Sequence, residues 1–216
     1  VRLFALIGGL ALVCLGLGER VLAGENPILI NEIQYHPEWD RSIDPVFQWV
    51  ELYNCSGQTV DMEGWVLWDS ESSDPLPAVT FAPGEFVIIA ATDSFRNRYP
   101  SVTCHVVTMD DGQLGNGLTD GDALLVVDYE GRLIDEVQWG QVVVGAGYPS
   151  SPWNTTVEPA EPGGSIGRRP NGVDSDQPAD FCQYSHPTPG ETNPYYLGDI
   201  PASTWGKIKA LYGSRK

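Results

Sequence analysis

FQWVELYNCSGQTVDMEGWVLWD, residues 47–69, is the stretch whose reading decides the fold. In residues 48–54, Val50 and Leu52 fall on one face, and Trp49, Glu51 and Tyr53 on the other. A period of two marks a half-buried strand. Asn54, Ser56 and Gly57 supply turn chemistry. From Gly64 a second strand puts Trp65 and Leu67 on one face, Val66 and Trp68 on the other. The stretch therefore reads as a strand–turn–strand hairpin. A lone hairpin is marginal in water, so the remaining chain must supply further strands.

Outward from this stretch, strand signals recur at short intervals. Residues 28–35 (ILINEIQY) form the first strand, and residues 36–45 a polar loop with a proline near each end. Residues 70–77 read as another loop, 79–81 as a short strand, and Pro83-Gly84 as a turn. Residues 85–92 (EFVIIAAT) are apolar on both faces, which predicts a central, covered strand. One helical turn is expected over 93–99, with Asp93 or Ser94 as its cap, then a strand over 102–108 and a Gly- and Asp-rich loop over 110–122. Residues 122–128 and 132–139 form the clearest second hairpin, with Gly131 at the positive-φ position of its turn. Residues 141–161 show little pattern. Strands at 165–169 and 181–184 follow, and the turns of 186–193 close the domain. About eight or nine short strands with Gly- and Pro-rich turns predict an all-β fold, an antiparallel β-sandwich.

Composition agrees. Hydrophobic residues make up 42% of the 216, enough for a packed core, and 24 Gly with 17 Pro suit many tight turns. The net charge of −17 repels phosphate backbones. Nonspecific nucleic-acid binding is thereby disfavoured, while cations or basic partners are favoured.

The ends stand apart from the domain. Arg2, an apolar run over 3–17 and the small-residue site Val21-Leu22-Ala23 read as a secretory signal peptide over 1–23. An uncleaved N-terminal anchor is the alternative. Lipoprotein processing at Cys14 is disfavoured by the bulky Val13 before it. The first residue, Val, fits an alternative bacterial start codon or a fragment. Residues 194–216 read as a linker and a short amphipathic tail, with Trp205, Ile208, Leu211 and Tyr212 on one side and Lys207 and Lys209 off that stripe. The tail is expected to be dispensable for folding and to aid docking or envelope retention. The surfaces open to it are its own sandwich, a partner protein or, more weakly, an anionic membrane. In an oxidising compartment, Cys55, Cys104 and Cys182 predict one disulfide and one leftover thiol, with the pairing undetermined.

The ordered set of motifs resembles the lamin-tail domain. It comprises Ile30-Asn31-Glu32-Ile33, Trp49 to Asn54, Val60 to Trp65 with Leu67 and Asp69, Gly121-Asp122, Asp128 with Gly131, and Ile134-Asp135. Gly164-Ser165, Arg168-Arg169-Pro170, Asp180-Phe181, and Pro187 to Gly190 with Asn193 complete it. The resemblance spans residues 28–193 and implies an immunoglobulin-like β-sandwich. In nuclear lamins this module serves interactions. In bacteria it occurs in secreted and surface proteins, sometimes beside nucleases or phosphoesterases. The family brings no catalytic residues to transfer. The long loop at 36–45, the irregular 141–161 segment and the tail depart from its pattern.

Catalytic and metal readings are weaker. Gly163 to Gly167 fits G-x-S-x-G around Ser165, but Pro170 and Gly172 deny it the helix that a nucleophile elbow needs. His36, His105 and His186 lie far apart in sequence. Asp110, Asp111, Asn116, Asp120 and Asp122, with Asp174 and Asp176, offer oxygens for calcium, yet without EF-hand spacing. Asn54-Cys55-Ser56 and Asn154-Thr155-Thr156 match the glycosylation sequon. No Cys-x-x-Cys pair points to zinc. The sequence thus assigns no catalytic, cofactor or metal residue. It reads as an exported, non-catalytic interaction or adhesion module with an unidentified protein or envelope partner and no small-molecule substrate. A small secreted hydrolase or phosphoesterase, or a calcium-stabilised adhesin, is the alternative. The leader reading is checked by mass spectrometry of the secreted protein. The expected N-terminus is Gly24, and recovery of an intact Val1 on soluble exported protein would contradict it.

Overall fold

A computed structural model describes residues 28–37, 44–143 and 153–194, so the expected leader and the tail from residue 195 onward lie outside the described residues. The strands are β1 (Ile28–Gln34), β2 (Trp49–Asn54), β3 (Val60–Asp61), β4 (Val66–Trp68), β5 (Ser73–Pro75) and β6 (Thr80–Phe81). There follow β7 (Phe86–Ala90), the short helix α1 (Ser94–Arg98), β8 (His105–Thr108), β9 (Asp122–Val127), β10 (Leu133–Trp139), β11 (Ser165–Arg168) and β12 (Phe181–Tyr184). A six-stranded sheet runs β12-β11-β1-β2-β7-β8, a four-stranded sheet β10-β9-β4-β5, and β3 pairs with β6. All pairs are antiparallel except β7–β8. The fold is the expected immunoglobulin-like β-sandwich.

The stretch 47–69 folds differently from its hairpin reading. β2 pairs with β1 and β7, whereas β4 pairs with β5 and β9 in the opposite sheet. The chain leaves the large sheet at Asn54. That side chain donates from Nδ2 to the carbonyls of Gln58 and Phe81, at 2.8 and 3.0 Å, and accepts from Ser56 through Oδ1. Turn residues are present as expected, but they steer a crossing between layers. Leu52 and Leu67 consequently meet in one central core from opposite sheets.

That core also holds Ile30, Val50, Leu124, Val137 and Trp139, with Tyr35 stacked on Trp139 at 5.0 Å between ring centroids. Full burial of such side chains stabilises by roughly 1.5–3 kcal/mol each. A second cluster, Trp49, Ile88, Ala90 and Phe95, covers part of the outer face of the large sheet. β2 is therefore buried on both faces rather than half-buried. β7 is the covered interior strand that its sequence predicts. The β9–β10 hairpin also forms as expected, with Gly131 at φ 79°. Its turn is closed by Asp128, which accepts from the backbone N–H groups of Glu130 and Arg132 and from Arg132 Nε at 2.7 Å.

Smaller corrections follow. The expected loop at 70–77 contains β5, whose Pro75 gives that sheet edge one backbone donor fewer. Asp93 occupies the cap position of α1 but makes no capping bond; Thr92 Oγ1 instead accepts from Ser94 N–H at 3.1 Å.

The expected disulfide does not form: no S–S bond joins Cys55, Cys104 and Cys182. Cys182 lies on β12, at one edge of the large sheet, and Cys104 just before β8, at the other edge. Five strand spacings of about 4.8 Å put these two roughly 24 Å apart. Cys55 follows β2, about 14 Å from the β12 line and 10 Å from the β8 line by the same spacing. A disulfide needs Cα atoms within about 7 Å. Burial also pushes the Cys104 thiol up to about 11. Alkylation of denatured, unreduced protein is expected to label all three cysteines in peptide mass spectra. Label on one alone would contradict this geometry.

Candidate functional site

The chemistry-bearing side chains of this protein gather around one irregularity in β1. Its register against β2 shifts between Ile30 and Glu32, leaving Asn31 as the extra residue of a bulge. The pairing of β1 with β11 covers only Glu32 and Ile33. Side chains take the place of the missing ladder at Ile30. Its N–H donates to Asp135 Oδ2 at 2.6 Å, and its carbonyl accepts from Arg168 Nε at 2.9 Å.

Arg168, on β11, is 0% exposed. Its Nη2 donates to both oxygens of Asp135 at 2.8 Å, and Nη1 donates to the Val173 carbonyl at 2.9 Å and to Asp174 Oδ1 at 3.1 Å. Asp180 stands 3.6 Å away, and the guanidinium lies 4.5 Å from the centroid of the Phe181 ring. Asp135 belongs to β10, so this fork joins the two sheets through the core. Burial pushes Asp135 up to about 6, against the pull of the Arg168 charge.

A second carboxylate pair sits beside it. Glu32 and Glu51 are direct neighbours on β1 and β2. Glu32 Oε1 accepts from Ser165 Oγ at 2.5 Å, and its carboxylate accepts from both the N–H and the hydroxyl of Thr188. Glu51 accepts from Asn31 Nδ2 and from Gly190 N–H, each at 2.6 Å. Asn193 Nδ2 donates to the carbonyls of Asn31 and Arg168. Residues 188–193 thus cross the outer face of the large sheet as a strap, fixed by two buried acids. Gly190 runs at φ 79°, where a Cβ would also lie 3.2 Å from Cys104 Sγ.

The residues singled out from the sequence are placed otherwise. Ser165 is fully buried in a strand, not on an exposed turn, and its hydroxyl faces Glu32. The histidines do not converge. His36 contacts Asp120 at 3.2 Å, His105 begins the edge strand β8, and His186 adjoins Ser185. In the acidic loop, Asp122 accepts from the N–H groups of Ser70, Thr119 and Ala123, and Asp111 from that of Gln113. Asp174 turns to Arg168. Among the described residues, no group of three or more His, Cys, Asp or Glu is placed to hold a metal ion. Asn54 of the first sequon is buried and bonded, whereas Asn154 of the second is exposed.

Sequence reading named Asp135, Arg168, Glu32 and Glu51 only as parts of motifs and missed their convergence. The available signal was charge inside apolar strand patterns: Glu32 within ILINEIQ, Asp135 within LIDEVQW, Arg168 ending SIGR.

The Lamin Tail Domain family model matches residues 23–141, just over half of the chain. No curated protein matches it.

The acid pair makes stability depend on pH. Burial raises Glu32 from 4.5 to about 7, opposed by the hydrogen bonds from Ser165 and Thr188. Glu51 moves the same way, through burial and then the neighbouring Glu32 charge. Between about pH 4.5 and 7 the folded chain holds more protons than the unfolded one, so stability falls as pH rises through this window, and the Glu32 share of the fall is complete near its upper end. The Glu32 contribution is on the order of 3 kcal/mol. Urea unfolding across this window is expected to show the fall, and Glu32→Gln to flatten it. Wild-type stability that rises with pH through the window would contradict the assignment.

Proposed function

The chain belongs to the lamin tail domain family, and from that premise we propose that it is an exported, non-catalytic protein-interaction module acting at the cell envelope or outside the cell. The family is an immunoglobulin-like interaction domain without enzymatic activity, which supports the binding half of this reading. The leader-like sequence of residues 1–23 supports the export half. One structural observation carries the non-catalytic half. The best-developed cluster of acids, arginine and serine in the fold is closed to water and turned inward: Glu32, Glu51, Ser165 and Arg168 are each 0% exposed. An acyl- or phosphoryl-transfer site requires a nucleophile that a substrate can reach. Here Ser165 donates its hydroxyl to Glu32, and both glutamates hold the strap.

The excess of 29 acidic over 12 basic residues selects partners with basic surfaces. Fractionation of cells producing the tagged full chain, followed by cross-linking, tests the proposal. The expected result is recovery outside the cytoplasm, cross-linked to a protein whose capture weakens with salt. Purely cytosolic recovery would overturn the export reading. Ester or phosphodiester hydrolysis by the purified protein, lost in a folded Ser165→Ala variant, would overturn the non-catalytic one.

A further inference from the structure

The four-stranded sheet carries an apolar face turned away from the core. Leu67, Leu124, Val126 and Val137 point into the core, so strand alternation sends Trp68, Leu125, Val127 and Glu136 outward. The register agrees, with Trp68 and Glu136 flanking Leu125, and Leu133 beside Val127. Leu125 is 1% exposed without belonging to either apolar cluster of the described residues. At the rim, Leu133 is 42% exposed.

We propose that the tail, residues 203–216 of the same chain, docks on this face through an amphipathic helix over residues 203–212. Three observations select this occupant. First, charge: all three lysines of the protein, Lys207, Lys209 and Lys216, lie in this segment with Arg215, and it contains no Asp or Glu. Everything before it is strongly acidic, and Glu136 lies within the face at 3% exposure. Second, pattern: at about 100° per residue, Trp205, Ile208, Leu211 and Tyr212 form a stripe about 120° wide, and Lys207 and Lys209 fall about 40° beyond its two margins. A helix seated on Trp68, Leu125 and Val127 therefore presents one lysine to either side, with stems long enough to reach a neighbouring carboxylate. Third, reach: Asn193 is anchored on the outer face of the large sheet. The eight residues 195–202 extend to about 26–29 Å, enough to pass round layers packed about 10 Å apart.

A second copy fits less well. A two-fold dimer through this face would bring the Glu136 carboxylates of two chains, each of net charge −17, towards one another. The inference is independent of the interaction reading and assigns this face to the module itself rather than to its partner.

Zero-length carbodiimide cross-linking of the full chain, with mass spectrometry of the monomer fraction, tests it. The expected product joins Lys207 or Lys209 to Glu136. A Trp205→Ala/Ile208→Ala/Leu211→Ala variant is expected to lose that product at least tenfold while keeping its β-sheet circular dichroism. Lysine cross-links that map to other faces would overturn the proposal. So would Glu136 cross-links found only in a dimer, which give the face to a second copy. Flotation of the wild-type chain with phosphatidylserine vesicles, abolished by Lys207→Glu/Lys209→Glu, would give the tail to a membrane and overturn it equally.

Discussion

Arg168 carries its charge where water does not reach, and much of the surrounding structure answers that charge. Removing a guanidinium from water costs several kcal/mol unless its donors are all engaged. Here they meet a bidentate carboxylate from the opposite sheet, a second carboxylate, two backbone carbonyls and an aromatic face. The same fork makes up for the bulge in β1, where Ile30 hands its N–H to Asp135 and its carbonyl to Arg168. Hydrophobic burial holds two sheets together without choosing how they align. A pair with fixed geometry, one member on β10 and the other on β11, restricts that alignment.

The acids on the outer face extend the same logic. Glu32 and Glu51 lie on adjacent strands, and each receives a backbone N–H from the strap at residues 188–193. Asn193 closes the strap against the Arg168 carbonyl. Sandwich, bulge, buried arginine and strap are therefore one connected polar network running through a β framework. Its cost is chemical: groups that elsewhere could act on a substrate are engaged in holding the frame. That use of polar groups is in keeping with an interaction domain.

Much of this was legible in the sequence, and the failures have physical reasons. Alternation located β2 and β4, an unbroken apolar run located β7, and the Gly131 turn located the β9–β10 hairpin. It could not say which strands share a sheet. Leu52 and Leu67 alternate in the same way whether their strands pair laterally or face each other across the core, so residues 47–69 read as a hairpin although they cross between layers. Trp49 and Glu51 read as a solvent face because their covers, Phe95 and Gly190, lie 46 and 139 residues further on. The disulfide expectation failed similarly: cysteine count and compartment say nothing of lateral distance across six strands. The buried network was least legible, since an arginine in a strand pattern reads as exposed until its partner, 33 residues away, is known to face it.

The central claim is that the Arg168–Asp135 fork couples the two sheets. A double-mutant cycle in equilibrium unfolding, with Arg168→Met, Asp135→Asn and the two combined, measures that coupling directly. Either single change is predicted to destabilise by about 3–5 kcal/mol, because it strands the other group's buried charge. The combined change is predicted to cost clearly less than the two added together. Single costs below about 1 kcal/mol that simply add, as between independent surface sites, would contradict the account.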